Sequence, residues 1–242
     1  MCGIFGGIYK PDVSIIRALA IANRERGTDS LGFFDSRGKI VKVAGDPMNA
    51  LPCCAEFLTG KHWFIAGHTR AATRGAKTAK NAHPFRYGRF IGAHNGIVDA
   101  PRQYAVDSQY LIHLLEKYEG DYQAAFDGVW GYWGLSWFDG SSLFLQAWDN
   151  EIALGRAPSG AWYYSSDVQH LTAVADLTES FILRDGATVQ FTPTGPKQLK
   201  PFLDSDYGYW EDEKRGTFDD DWQLYCDRDA DGAIPDIGEF AT

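Results

Sequence analysis

Loss of Met1 from the opening Met1-Cys2-Gly3-Ile4-Phe5-Gly6 would leave a thiol and a free α-amine on one residue, Cys2. The thiolate is the nucleophile of cysteine chemistry, and it needs an acceptor for its proton. An α-amine titrates at about 7.7–8.0, so it can serve as the base for its own side chain. The plain alternative is a small buried residue in a first strand. Four further blocks follow. They are Arg24-Glu25-Arg26-Gly27-Thr28-Asp29-Ser30-Leu31-Gly32, Gly67-His68-Thr69-Arg70-Ala71-Ala72-Thr73-Arg74-Gly75, Asn81-Ala82-His83-Pro84-Phe85 and Ala93-His94-Asn95-Gly96-Ile97-Val98. Alone, Asn95-Gly96 reads as a turn and Arg70 as a strand-end surface residue. Five such blocks in one order are a far stronger signal than any one of them.

Taken together, the blocks resemble the glutaminase domain of class II glutamine amidotransferases, a branch of the N-terminal nucleophile hydrolases. The nearest likeness is to the domain that opens glucosamine-6-phosphate synthase, with the amidophosphoribosyltransferase type next; the likeness spans about residues 2–192. It implies an α+β fold, the αββα sandwich of two antiparallel sheets flanked by helices. It also implies hydrolysis of L-glutamine to L-glutamate and ammonia through a Cys2 γ-glutamyl thioester. Asn95 and the Gly96 N–H would form the oxyanion hole, where each donor is worth about 3–4 kcal/mol. Glycine suits that place because a bare α-carbon lets backbone approach substrate. Arg70 would clamp the α-carboxylate. Asp107 would hold the α-ammonium, although an aspartate before a helix also reads as an N-cap. Thr73 would help bind substrate, and His83 would order its loop or touch the substrate. Arg26 and Asp29 would support the N-terminus. Two departures stand out: Ala71 replaces an aromatic of the sugar-phosphate branch and Arg74 replaces its histidine. They bear on the lid over glutamine and on its coupling to a partner.

The 242 residues, 45% hydrophobic and 14% aromatic, suffice for one large domain. A net charge of −9 argues against sequence-independent nucleic-acid binding. No apolar run is long enough to span a membrane, and no secretory signal is visible. The four cysteines, Cys2, Cys53, Cys54 and Cys226, fit neither a zinc pattern nor a disulfide framework and suit a reducing cytoplasm. No cofactor or metal motif is present. Asp227–Ile234 copies the front of a calcium loop, but the twelfth position is Gly238, so the segment reads as an acidic turn.

The elements expected to position the site begin with a buried strand over 2–9 and a helix from Ser14 to about Arg24, with Ile15, Leu19 and Ala22 on one face. Strands follow at Leu31–Phe34 and Lys39–Val43, then a helical stretch from Pro47 to Leu58 interrupted at Pro52. His62–His68 and Arg86–His94 read as strands, the second ending in a turn at Asn95-Gly96. Asp107 or Ser108 caps a helix carrying Leu111, Leu114, Leu115 and Tyr118. Further strands are read at Val129–Phe138, Leu143–Trp148, Trp162–Ser165 and Ile182–Phe191, the last with a turn at Arg184-Asp185-Gly186.

The domain reading is 2–202 for the glutaminase domain and 203–242 for an acidic, aromatic extension with thirteen acidic against three basic residues. The chain is too short for an ammonia-accepting domain, so a separate synthetase or transferase partner is expected. The alternatives are an N-terminal cysteine hydrolase acting on another amide, which the Arg70 and Asp107 pair disfavours, or a catalytically idle regulatory subunit.

Overall fold

The computed structural model describes residues 1–203 and the pair 226–227. In chain order the first half holds β1 (Gly3–Ile8), α1 (Val13–Ala22), β2 (Ser30–Asp35), β3 (Ile40–Ala44), α2 (Pro47–Ala50), α3 (Ala55–Leu58), β4 (Phe64–Arg70), β5 (Phe85–Tyr87), β6 (Phe90–Val98) and α4 (Asp107–Lys117). The second half holds α5 (Tyr122–Phe126), β7 (Gly131–Phe138), β8 (Leu143–Trp148), β9 (Ile152–Arg156), β10 (Trp162–Ser165), α6 (Val168–Val174), β11 (Glu179–Leu183), β12 (Thr188–Thr192), β13 (Gly195–Gln198) and β14 (Cys226–Asp227).

Two antiparallel sheets result, in the orders β14-β11-β9-β10-β1-β4-β2-β3 and β13-β12-β8-β7-β6-β5. Strand alternation explains why they stack. Along β1, Ile4 and Ile8 face a core shared with Ile91, Ala93, Leu143 and Leu145 of the second sheet. Phe5 faces the other way, onto Ile16, Leu19 and Leu171 of α1 and α6. On the second sheet, Trp133, Leu135 and Trp137 of β7 turn outward to Leu111, Ile112, Leu115 and Phe126 of α4 and α5. Helix, sheet, sheet, helix is the αββα sandwich that the resemblance implies.

Several local expectations change. The first helix starts earlier: Asp12, not Ser14, is the cap, and its carboxylate accepts the Ser14 N–H at 2.7 Å. Its buried face is Ile16, Leu19 and Ala20. Pro52 does interrupt the stretch after Pro47, where Leu51–Cys54 form a 3₁₀ turn between α2 and α3. Asn95-Gly96 is not a turn but lies inside β6, which runs on to Val98. Asp107 is the first residue of α4 rather than its cap, and Tyr118 is exposed while Ile112 takes the inward place. The segment Ile182–Phe191 is not one hairpin, because β11 and β12 belong to different sheets. The acidic extension from 203 onward and the Asp227–Ile234 loop lie outside the described residues, apart from Leu203 and the β14 pair. Among the described residues no helix is long and apolar enough to cross a membrane, and no group of three or more His, Cys, Asp or Glu could hold a metal ion.

Candidate active site

β1 carries Cys2 to the end of the eight-stranded sheet. Gly3 pairs with Thr69 and Ile4 with His68, so Cys2 lies beside Arg70, the last residue of β4. A side chain at Gly3 has no room: its Cβ would sit 2.5 Å from Asn23 Oδ1 and 2.8 Å from Thr69 Oγ1. The Cys2 thiol donates to the Ala71 carbonyl at 3.5 Å. Arg26 Nε donates to the Cys2 carbonyl at 2.8 Å, and Arg26 Nη1 lies 3.5 Å from Asp167 Oδ2. Behind this strand end, Thr69 Oγ1 donates to the Asn23 carbonyl at 2.8 Å, and Asn23 Nδ2 donates to the Leu19 carbonyl and Ser165 Oγ.

The facing sheet supplies Asn95 and Gly96. Asn95 pairs with Gly134, and the Ile4 side chain comes within 3.6 Å of the Cβ position at Gly134. His68 Nε2 reaches across to the His94 carbonyl at 3.1 Å. Asn95 Nδ2 is buried and has no hydrogen-bond partner. Such an orphan donor is costly in a folded protein unless something else uses it. Gly96 has φ +149°, and a Cβ there would sit 2.1 Å from the Tyr132 carbonyl and 2.8 Å from His94 Nε2, so only glycine fits. Asn150 Nδ2 donates to the Asn95 carbonyl at 3.0 Å. Asp107, buried at the start of α4, accepts the Val98 N–H at 3.2 Å and the Ser108 N–H at 3.0 Å.

Electrostatics join these groups. Burial pushes the Cys2 thiol up, and Asp107 adds to that; the bond to Ala71, the terminal ammonium and Arg70 pull the other way. The sulfur therefore feels the guanidinium and the carboxylate with opposite signs. Arg70 is only 2% exposed. Its Nη1 and Nη2 donate to the Ala76 and Arg74 carbonyls at 3.0 and 2.5 Å, so the loop after β4 folds back on it. Asp29 holds the same loop, accepting the Ala72 N–H and lying 2.8 Å from Lys77 Nζ. Against the effect of burial, these contacts and Arg70 hold the Asp29 carboxyl below its usual range. Arg74 anchors the loop's other side to the Ala100 and Pro101 carbonyls.

No protein-family model matches the chain. It is 31% identical over 136 residues to a glutamine–fructose-6-phosphate aminotransferase [isomerizing] of Streptococcus agalactiae, covering 49% of this chain and 22% of that one. It is 31% identical over 187 residues to a probable enzyme of the same name from Acanthamoeba polyphaga mimivirus, covering 64% of this chain and 31% of that one. The chain thus spans less than a third of the length of these curated relatives. The fold is that of the glutamine phosphoribosylpyrophosphate amidotransferase of B. subtilis, with a TM-score of 0.66 at 18% identity over 82% of this chain and 49% of that one. A glutamine aminotransferase class-II domain protein from Silicibacter pomeroyi gives a TM-score of 0.55 at 15% identity over 84% of this chain and all of that one. The chain is similar in sequence to glutamine–fructose-6-phosphate aminotransferases and shares its fold with glutamine amidotransferases.

In this chain, Cys2, Arg70, Asn95, Gly96 and Asp107 share one end of the sandwich. Arg26 is placed on the Cys2 backbone, whereas Asp29 is placed on the loop rather than on the N-terminus. Thr73 is exposed on that loop. His83 is buried: its Nε2 lies 2.6 Å from Ser108 Oγ, and its ring lies 3.7 Å from that of His68. His94 Nδ1 reaches the same hydroxyl at 2.9 Å. The single hydroxyl proton serves one ring, and the other ring donates to the oxygen. His68, His94 and Asn150 are given no role by the sequence, and Ser108 only that of a candidate helix cap. The two histidines stand in the matched blocks, which was a usable signal; Ser108 and Asn150 offered none.

Burial holds all three histidines neutral. It pushes His68 down to about 3, His83 well below the ordinary value, and His94 down against the pull of Asp107. The folded values lie below the unfolded value near 6.5, so the unfolded chain binds the protons. Stability from each ring is complete above about pH 6.5 and is lost as pH falls through its folded value, which is about 3 for His68. Urea titrations should lose about 1.4 kcal/mol per pH unit from His68 between pH 6 and 5, above the carboxylate range, with His83 and His94 adding loss in the same direction. A flat profile over that interval would show that the rings are charged or solvated in the native state.

Proposed function

We propose that residues 2–202 form a glutaminase domain that hydrolyses L-glutamine to L-glutamate and ammonia. The observation that carries this reading is Asn95 Nδ2: a buried donor without a partner, at the end of the sandwich that also holds Cys2, Arg70 and Asp107. A developing oxyanion would satisfy it.

After Met1 is cleaved, the Cys2 α-amine takes the thiol proton. Met1 is 78% exposed among the described residues. Burial raises the thiol, which makes a local base necessary at neutral pH. The thiolate attacks the side-chain amide carbon, and the oxyanion forms against Asn95 Nδ2 and the Gly96 N–H. The C–N bond then breaks, and the amine returns its proton to the departing ammonia. Water adds to the resulting γ-glutamyl thioester, releasing glutamate and the thiol. Asp107 pairs with the α-ammonium. The α-carboxylate reaches Arg70 by replacing the Ala76 and Arg74 carbonyls, so substrate entry requires the loop over 71–80 to move. Thr73, on that loop, contacts substrate when it closes. His83 orders the loop base through Ser108, and Arg26 and Asp29 hold the N-terminus and the loop.

Ammonia passes to a synthetase or transferase that supplies the acceptor, as the names of the relatives imply for those proteins. A cytoplasmic setting and docking through residues 203–242 belong to the same proposal; nucleic acid and membrane do not. Incubation with glutamine should release glutamate. Incubation with the diazoketone 6-diazo-5-oxo-L-norleucine should give one covalent adduct on Cys2 of a chain lacking Met1, read by intact mass. The absence of both glutamate and adduct would overturn the reading.

A further inference from the structure

We propose that Asn150, in the connection between β8 and β9, is a positioning residue for the oxyanion hole. The inference rests on the glutaminase reading and adds a residue from outside the matched blocks. Its basis is the peptide group joining Asn95 to Gly96. A trans peptide is planar, so its carbonyl and N–H point in opposite directions. Whatever fixes the Asn95 carbonyl therefore aims the Gly96 N–H. Asn150 Nδ2 donates to that carbonyl at 3.0 Å. Its own Oδ1 accepts the Glu151 N–H at 2.8 Å, which sets the amide orientation and leaves Nδ2 as the donor. The preceding residue, Asp149, has φ +45°, a conformation that non-glycine residues rarely adopt.

The peptide on the other side of Asn95 is fixed as well, because His68 Nε2 holds the His94 carbonyl at 3.1 Å. Asn95 is thus clamped at both of its peptide groups while its side-chain donor stays unpartnered. The two clamps differ in how they can be tested. His68 lies in the core, 1% exposed, and its loss would disturb the fold. Asn150 is half-buried in the loop between β8 and β9, so its substitution leaves the core intact. Gly96 needs such a clamp because glycine is the least constrained residue and its φ lies outside the usual strand range.

The test compares wild type with Asn150→Ala and Asn150→Asp. Asp keeps the shape but replaces the donor with an acceptor facing a carbonyl. Three quantities are read: kcat, KM for glutamine, and the inhibition constant of glutamate γ-semialdehyde. That aldehyde forms a hemithioacetal with Cys2 and places its oxygen in the hole. The expected result is a fall in kcat of about tenfold to a hundredfold in both variants. Aldehyde affinity should fall by a similar factor, with KM within about twofold. Unchanged kcat and aldehyde affinity in an active protein would overturn the proposal. So would Asn150→Asp behaving as wild type while Asn150→Ala fails, since that pattern marks packing rather than donation. A wild type that neither turns over nor binds the aldehyde would instead remove the glutaminase reading, and this inference with it.

Discussion

Cys2→Ala is expected to abolish glutamate release, a fall on the order of 10⁴-fold or more, while leaving glutamine binding measurable. Binding groups and reacting group are separable in the structure. Arg70 and Asp107 are held by the loop and by the start of α4, independently of the sulfur. Cys2 itself touches the framework mainly through its backbone, with Arg26 on its carbonyl and only a 3.5 Å thiol contact to Ala71. Removing the sulfur should therefore cost little stability. Glutamine should still raise the melting temperature of the variant, and the diazoketone should no longer add covalently. Glutamate release from Cys2→Ala at the wild-type rate would end the thioester mechanism. Full activity in a protein that keeps Met1 would do the same, because the amine would then belong to the wrong residue.

Asn95→Ala carries the next largest effect: a loss of about 10²–10³ in kcat with KM little changed. Its stability signature is unusual for a buried polar substitution. Losing a hydrogen-bonded partner commonly costs about 1–3 kcal/mol because the group left behind is stranded. Here the side-chain amide has a stranded donor already, and truncation removes it. The variant should therefore unfold no more easily than wild type while turning over far more slowly. Asn95→Asp should be slower still, since a carboxylate opposes the developing charge. A parallel loss of activity and stability would assign Asn95 a framework role and move the oxyanion donor elsewhere.

The gathering of the candidate site residues was legible in the sequence because they are concentrated in short blocks, most of them at strand ends. Cys2 and Arg70 come together because β1 and β4 are antiparallel neighbours, and the blocks at 2–6 and 67–75 record that pairing. What the blocks did not reveal is how the strands continue. Asn-Gly is a turn signal, yet β6 passes straight through it. The Tyr132 carbonyl and the His94 ring occupy the space where a side chain would stand, so the local preference for a turn yields to packing. Sheet membership was equally hidden. A turn at Arg184-Asp185-Gly186 looks like a hairpin locally, but β11 pairs with β9 and β12 pairs with β8, a choice made by the two cores. The short β9 and the helices α5 and α6 gave too few residues for a periodic pattern. The meeting of His68, His83, His94 and Ser108 joins β4, the connection before β5, β6 and α4, and leaves no trace in spacing.

The enclosure of Arg70 has a thermodynamic consequence. On the proposed glutaminase reading, the substrate carboxylate competes with the Arg74 and Ala76 carbonyls for the same guanidinium. Apparent affinity is then the intrinsic affinity reduced by the fraction of molecules whose strap has swung clear. Changes along 71–80 that loosen the strap, far from sulfur and oxyanion, would tighten substrate capture without altering the bond-breaking step.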